Sequence, residues 1–108
     1  MAYYLVQAAY TAEAWAVQIK NPQNRLEVVR PVIERLGGRM ENFWFAFGEY
    51  DVVGIVQMPD NVSAAAFSLA VSAGGAVKAV KTTPLMTIEE GIEAMRKAGG
   101  AGYRPPGS

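Results

Sequence analysis

Residues 43–56 restrict the fold more than any other part of the chain. Two apolar runs, rich in aromatic and β-branched residues, meet there at Gly48-Glu49. Glycine as the first of two central residues is typical of a type II′ turn, which joins antiparallel strands. The sequence therefore predicts a β-hairpin formed by residues 39–47 and 50–58.

The other elements are predicted from cap and turn signals along the chain. Asn21-Pro22 indicates a helix start, and an apolar stripe follows it at Leu26, Val29, Ile33 and Leu36. Together with the hairpin, the predicted elements are a strand over 3–10, a short helix after Thr11, that second helix, a helix over 61–73, a strand over 76–85 and a last helix capped by Thr87.

This order is β-α-β-β-α-β plus a C-terminal helix, the ferredoxin-like arrangement of the α+β class. We expect an antiparallel sheet in the strand order 4-1-3-2, with helices on one face. The length of 108 residues suits one domain. Residues 1–97 are predicted to form it, and the Gly/Pro-rich residues 98–108 are predicted to be a flexible tail.

The hairpin register divides its side chains between two faces of the sheet, because Phe47 is expected opposite Tyr50. The face predicted to pack on the helices carries Phe43, Phe45, Phe47, Tyr50, Val52, Gly54 and Val56. The opposite face, here called the second face, is predicted to carry Met40, Asn42, Trp44, Ala46, Asp51, Val53, Ile55 and Gln57.

The second face is too apolar for a sheet surface open to water. Either the C-terminal helix folds back over it, or a second copy of the chain covers it. We favour the second copy, because contiguous apolar surface is typical of interfaces. The expected partner is therefore the chain itself, in a homo-oligomer.

Composition excludes several kinds of site. The chain has no histidine and no cysteine, so a Ser-His-Asp triad, a histidine-bound zinc and a thiolate nucleophile are excluded. We expect no metal and no cofactor. Ten basic and ten acidic residues give zero net charge, so neither nucleic acid nor a membrane surface is an expected partner. The missing cysteines and the absence of a signal-peptide pattern favour a cytoplasmic location.

Several short motifs resemble one known family. The central one is Gly48-Glu49-Tyr50-Asp51 inside the aromatic hairpin; the others are Tyr10-Thr11, Asn21-Pro22 followed by Arg25, Leu36-Gly37-Gly38 and residues 77–82. Over residues 3–95 the chain resembles the GYD-domain family of small bacterial and archaeal proteins. The resemblance implies a ferredoxin-like α+β fold of the dimeric α+β barrel group. Pro31 and the Gly/Pro-rich tail depart from the family's usual pattern.

Asp51 is the candidate for catalysis, because it is the only acidic residue that the predicted register places on the second face. A carboxylate is costly to bury there without a partner. The alternative is structural: a hydrogen bond to backbone, or a salt bridge across a subunit interface. We favour the structural role.

The candidate ligand-binding residues are polar or aromatic and are expected near one end of the sheet: Gln7, Tyr10, Trp15, Trp44 and Tyr50. Each has a simpler alternative in packing. Tyr50 is more readily explained as the cross-strand partner of Phe47, and Trp44 as interface or core.

Two functions remain open on the sequence. The first is a homo-oligomeric module that binds a small apolar ligand or serves as an accessory or regulatory subunit. The second is a cofactor-independent enzyme, monooxygenase-like or isomerase-like, of the dimeric α+β barrel type, with Asp51 as the base. Only fold analogy supports the enzyme, so whether the chain is an enzyme stays open.

Overall fold

The computed structural model describes residues 1–107 of the chain. Its elements, in chain order, are β1 (Ala2–Tyr10), α1 (Ala12–Lys20), α2 (Leu26–Arg35), β2 (Arg39–Phe45), β3 (Val52–Met58), α3 (Asn61–Ala73), β4 (Val77–Pro84) and α4 (Ile88–Gly99). No helix within this part of the chain is long and apolar enough to cross a membrane.

The four strands form one antiparallel sheet in the order β2-β3-β1-β4. This is the predicted order read from the other edge, and the α+β class with a ferredoxin-like sheet is confirmed. The first strand is central and pairs with β3 on one side and β4 on the other. Its C-terminal end, at Tyr10, therefore lies between the ends of two neighbouring strands.

Side-chain caps fix where most of the helices begin. Thr11 Oγ1 accepts the Ala14 N–H at 3.1 Å, and Asp60 Oδ1 accepts the Ser63 N–H at 2.7 Å. Each bond satisfies one of the free donors at a helix N-terminus. Thr87 and Glu90 form the predicted capping box of α4.

The second helix starts later than Asn21-Pro22 predicts. Asn21 instead caps the C-terminus of α1, donating its N–H to the Val17 carbonyl. The Asn24 side chain accepts the Leu26 N–H at 3.1 Å, and the helix then runs from Leu26 without a break at Pro31. A local side-chain bond at Asn24 thus outweighs the preference for proline at a first helical position.

The core lies between one face of the sheet and the helices α2 and α3. Its buried side chains come from both layers: Tyr4, Val6, Ile33, Met40, Val56, Met58, Ala64 and Phe67. Leu26, Val29 and Leu36 of the predicted stripe pack against this cluster beside the buried Ile33. The period of the stripe places one side of α2 against the sheet.

The connection between β2 and β3 is longer than the predicted two-residue turn. The strands end at Phe45 and resume at Val52, and the Ala46 N–H donates to the Asp51 carbonyl at 2.8 Å. The overall register is the predicted one, since Phe45 pairs with Val52. Gly48 is not among the glycines with positive φ, so the type II′ turn is wrong. Consequently Phe47 and Tyr50 do not form a strand pair.

A register shift in β2, between Met40 and Asn42, places Met40 on the core face of the sheet instead of the second face. Met40 pairs with Val56 and is buried in the core, whereas the uninterrupted register predicted it on the second face. An extra residue in one strand, here Glu41, reverses the facing of every residue beyond it.

Two phenylalanines predicted to cover the helices are exposed instead. Phe45 is 64% exposed and Phe47 is fully exposed, while Phe43 alone packs against the core. The strand pairing ends at Phe45, so Phe47 lies in the connecting loop beyond the sheet. Side chains alternate between the two faces of the sheet only as far as the strands are paired.

The last helix does not fold back over the sheet. Its apolar residues remain in water, with Ile88 77% and Met95 73% exposed. The molecule is accordingly elongated, at 59 × 33 × 22 Å, and its radius of gyration is 17.5 Å. A compact chain of this length has a radius of about 13 Å. Trp44, on the uncovered second face, is 56% exposed.

Candidate functional site

Asp51 joins the end of β1 to the short helix that follows it. Its Oδ2 accepts the Tyr10 backbone N–H at 2.9 Å and the Trp15 Nε1–H at 3.2 Å. Its own N–H donates to the Ala8 carbonyl at 2.8 Å. The carboxylate therefore accepts hydrogen bonds from two N–H groups at the point where the strand pairing between β1 and β3 ends.

Aromatic rings surround this carboxylate. Tyr10 and Trp15 meet edge to face, with ring centroids 5.2 Å apart. The ring centroids of Trp15 and Phe45 are 6.3 Å apart, and the two rings are tilted against one another. These contacts place α1 at the end of the sheet, because the indole is held by both aromatic contacts and a hydrogen bond.

A cavity of about 260 Å³ lies beside this cluster, under the helices. We call it the helix-side cavity. Its floor is the sheet, including Val6, Ala8 and Val80, and its walls are α2 and α3. It exists because α2 and α3 each pack on the sheet without closing on one another.

Gly54 shapes the floor of this cavity. The ring of Phe43, a cavity-lining residue, lies against the Gly54 backbone in the space that a Cβ atom would occupy. A side chain at position 54 would therefore push the ring away from β3. The missing Cβ keeps the aromatic ring flat on the sheet.

A smaller cavity of about 120 Å³ adjoins the first, toward the loop between α1 and α2. We call it the side cavity, and Asn24 and Phe45 are among its lining residues. Five residues line both cavities: Tyr10, Arg25, Val29, Phe43 and Val52. Because their walls are shared, the two cavities form one apolar region.

Burial raises the pKa of the Tyr10 phenol above its usual value of 10.0, and the Asp51 carboxylate raises it further. The nearby Arg25 guanidinium opposes this shift. The phenol is therefore neutral and able to donate a hydrogen bond at neutral pH.

The structure brings together three of the predicted site residues: Tyr10, Trp15 and Asp51. Trp44 lines only the side cavity. Gln7 lies on the second face between Val53 and Lys81, away from the cavities.

Two further observations bear on the predicted roles. Tyr50 lies in the loop between β2 and β3 and lines neither cavity. The backbone bond to Tyr10 is one of the two structural contacts expected of Asp51. The binding and catalytic roles themselves stay predictions.

Sequence reasoning missed Arg25 as a site residue. It stands at the N-terminal cap of α2 and lines both cavities. The sequence offered two signals: Arg25 follows Asn21-Pro22 in one of the family-like motifs, and it stands directly before the apolar stripe that begins at Leu26. A basic residue at that position lies at the edge of the apolar stripe. Basic residues also occur at ordinary helix starts, so the position alone does not indicate a site.

The architecture is that of an α+β protein with a ferredoxin-like sheet and an apolar cavity beneath its helices. The family model for the GYD domain matches residues 4–95, and the chain belongs to this family. No curated protein matches the chain. Within residues 1–107 there is no cluster of three or more acidic side chains arranged to hold a metal ion.

Proposed function

We propose that this chain is a homo-oligomeric small-molecule-binding module with an accessory or regulatory role, located in the cytoplasm. The helix-side cavity carries the proposal. It holds about 260 Å³, whereas a dry apolar cavity of about 150 Å³ is enough to bind benzene. Well-formed apolar cavities with a few convergent polar groups are the usual places where small molecules bind.

Assembly is supported by the apolar surfaces that the single chain leaves in water. Trp44 and Tyr3 are exposed on the second face, and α4 leaves its own apolar stripe uncovered. Burying such surface stabilises an interface by roughly 25 cal/mol per Å². A second copy that covers the second face would bury Trp44, Val53 and Ile55.

Ligand binding is tested by filling the cavity. Ala70 of α3 lines it, whereas Ala73, three residues later, does not. Native mass spectrometry of protein purified from its own host should show a retained small molecule in wild type and in Ala73→Trp. Ala70→Trp should lose it. Retention in both variants, or no bound molecule in wild type, contradicts the proposal.

Assembly is tested by placing a charge on the second face. Trp44→Glu should shift the protein toward monomer in light scattering at micromolar concentration, because a buried unpaired carboxylate is costly. Phe47→Glu is the matched control, since Phe47 is fully exposed in the loop beyond the sheet. A monomeric wild type would refute the homo-oligomer.

The alternative is a cofactor-independent enzyme with Asp51 as its base. The contact of Asp51 with Tyr10, which lines both cavities, favours it. Against it, Asp51 lines neither cavity, and its Oδ2 already accepts two hydrogen bonds.

A further inference from the structure

The charge in the apolar region comes from one side chain. Among residues 1–107, Arg25 is the only charged residue that lines either the helix-side cavity or the side cavity. Within the same residues, Tyr10 has the one other polar side chain in the helix-side cavity, and the rest of its lining is apolar or glycine.

Arg25 has no acidic partner in the part of the chain that the structure describes. The ion pair found there joins Arg96 to Glu93 on α4, far along the chain. Yet Arg25 is partly buried. A desolvated charge is costly unless it is paired, so an unpaired guanidinium beside an apolar cavity favours the arrival of an anion.

The neighbouring groups leave this cation available. Asp51 lies nearby, but its Oδ2 is engaged by Tyr10 and Trp15. The Tyr10 phenol is neutral at neutral pH, since burial raises its pKa above the usual 10.0, and it lies close enough to Arg25 for the two to influence one another. A guanidinium and a phenol together offer several hydrogen-bond donors to an anion.

We infer that the ligand of this cavity is a small amphiphile with one anionic head group, such as a carboxylate, on an uncharged apolar body. Arg25 binds the head group, with Tyr10 as a second donor, and the body occupies the space over Val6, Ala8 and Val80. The inference rests on the proposed small-molecule binding and adds the chemical class of the ligand. Arginine suits this role because its planar fork matches the two oxygens of a carboxylate.

The test is calorimetric titration of the full chain with three probes of equal length: octanoate, octanamide and octylamine. At neutral pH these are an anion, a neutral amide and a cation on the same apolar body. Octanoate should bind at least about tenfold more tightly than octanamide, because a hydrogen bond to a charged group is the stronger one. Octylamine should bind most weakly.

Three variants assign the preference to Arg25. Arg25→Gln should lower the affinity for octanoate to that for octanamide and leave octanamide binding unchanged. Arg25→Lys keeps the charge and should retain the preference for the anion. Arg30→Gln is the matched control, because Arg30 is exposed on the same helix and lines neither cavity; it should behave as wild type.

The outcomes separate this inference from the proposed function. Equal affinity for octanoate and octanamide, both lost in Ala70→Trp, overturns the anionic ligand and leaves small-molecule binding standing. A preference for octanoate that survives Arg25→Gln overturns the role of Arg25. If none of the three probes binds, the inference of an anionic amphiphile is also overturned. Native mass spectrometry then tests the proposed small-molecule binding independently of the probes.

Discussion

At the scale of single residues, Asp51 is the junction between β1, α1 and the loop that precedes β3. Asp51→Ala should lower the free energy of unfolding by about 1–3 kcal/mol, because it leaves the Tyr10 N–H and the Trp15 indole N–H without their acceptor. Chemical denaturation followed by far-ultraviolet circular dichroism measures this.

Two further variants show whether both hydrogen bonds to the Asp51 carboxylate contribute to the free energy of unfolding. Trp15→Phe removes one donor and should cost less than Asp51→Ala, while Glu49→Ala, at the tip of the loop, should cost nothing measurable. An Asp51→Ala protein as stable as wild type would contradict the structural role of Asp51.

The raised pKa of Tyr10 predicts that the folded chain loses stability at alkaline pH. Its pKa is raised in the folded chain, so folding is favoured below the ordinary tyrosine pKa of about 10. As pH rises through that value toward the folded pKa, the unfolded phenol loses its proton first and this stability is lost. Melting temperatures from pH 8 to 11 should therefore fall. They should fall less steeply in Tyr10→Phe than in Tyr103→Phe, which removes an exposed phenol beyond α4.

At the scale of elements, α4 is a helix without a surface to pack on in the single chain. Ile88→Gln should weaken self-association in light scattering, because Ile88 is 77% exposed in the single chain and is free to enter an interface. Glu89→Gln introduces the same side chain one residue later, on the polar side, and should leave association unchanged. Equal behaviour of the two variants would exclude α4 from the interface.

The sequence was sufficient for the elements that depend on local signals. The capping box of α4 and the apolar stripe of α2 were predictable because period and cap chemistry are local. The strand order then followed from the β-α-β-β-α-β order of the elements. The shift near Glu41 and the loop at Gly48 were not predictable. Both depend on where pairing with β3 is interrupted, which no local pattern reveals.

The candidate site was predictable only in part, for the same reason. Tyr10, Trp15 and Asp51 were expected near one end of the sheet, and their contacts follow from strand order. Arg25 was missed because its position depends on how α2 starts after Asn24.

At the scale of the whole molecule, self-association should make stability depend on concentration. Association stabilises the folded chain by mass action, so the melting temperature of a dimer should rise by about 3 °C for each tenfold increase in concentration. Differential scanning calorimetry over two decades of concentration checks this, with Trp44→Glu as the comparison. A melting temperature independent of concentration in wild type would indicate a monomer.

The chain contains two tryptophans, and the fold separates them. Trp15 meets Tyr10 edge to face beside the cavities, whereas Trp44 is 56% exposed on the uncovered face of the sheet. The molecule thus carries two native optical reporters. If the cavity binds a ligand, the fluorescence of Trp15, seen alone in Trp44→Phe, should change on binding. If a second copy covers the second face, the fluorescence of Trp44 should shift to shorter wavelength on association.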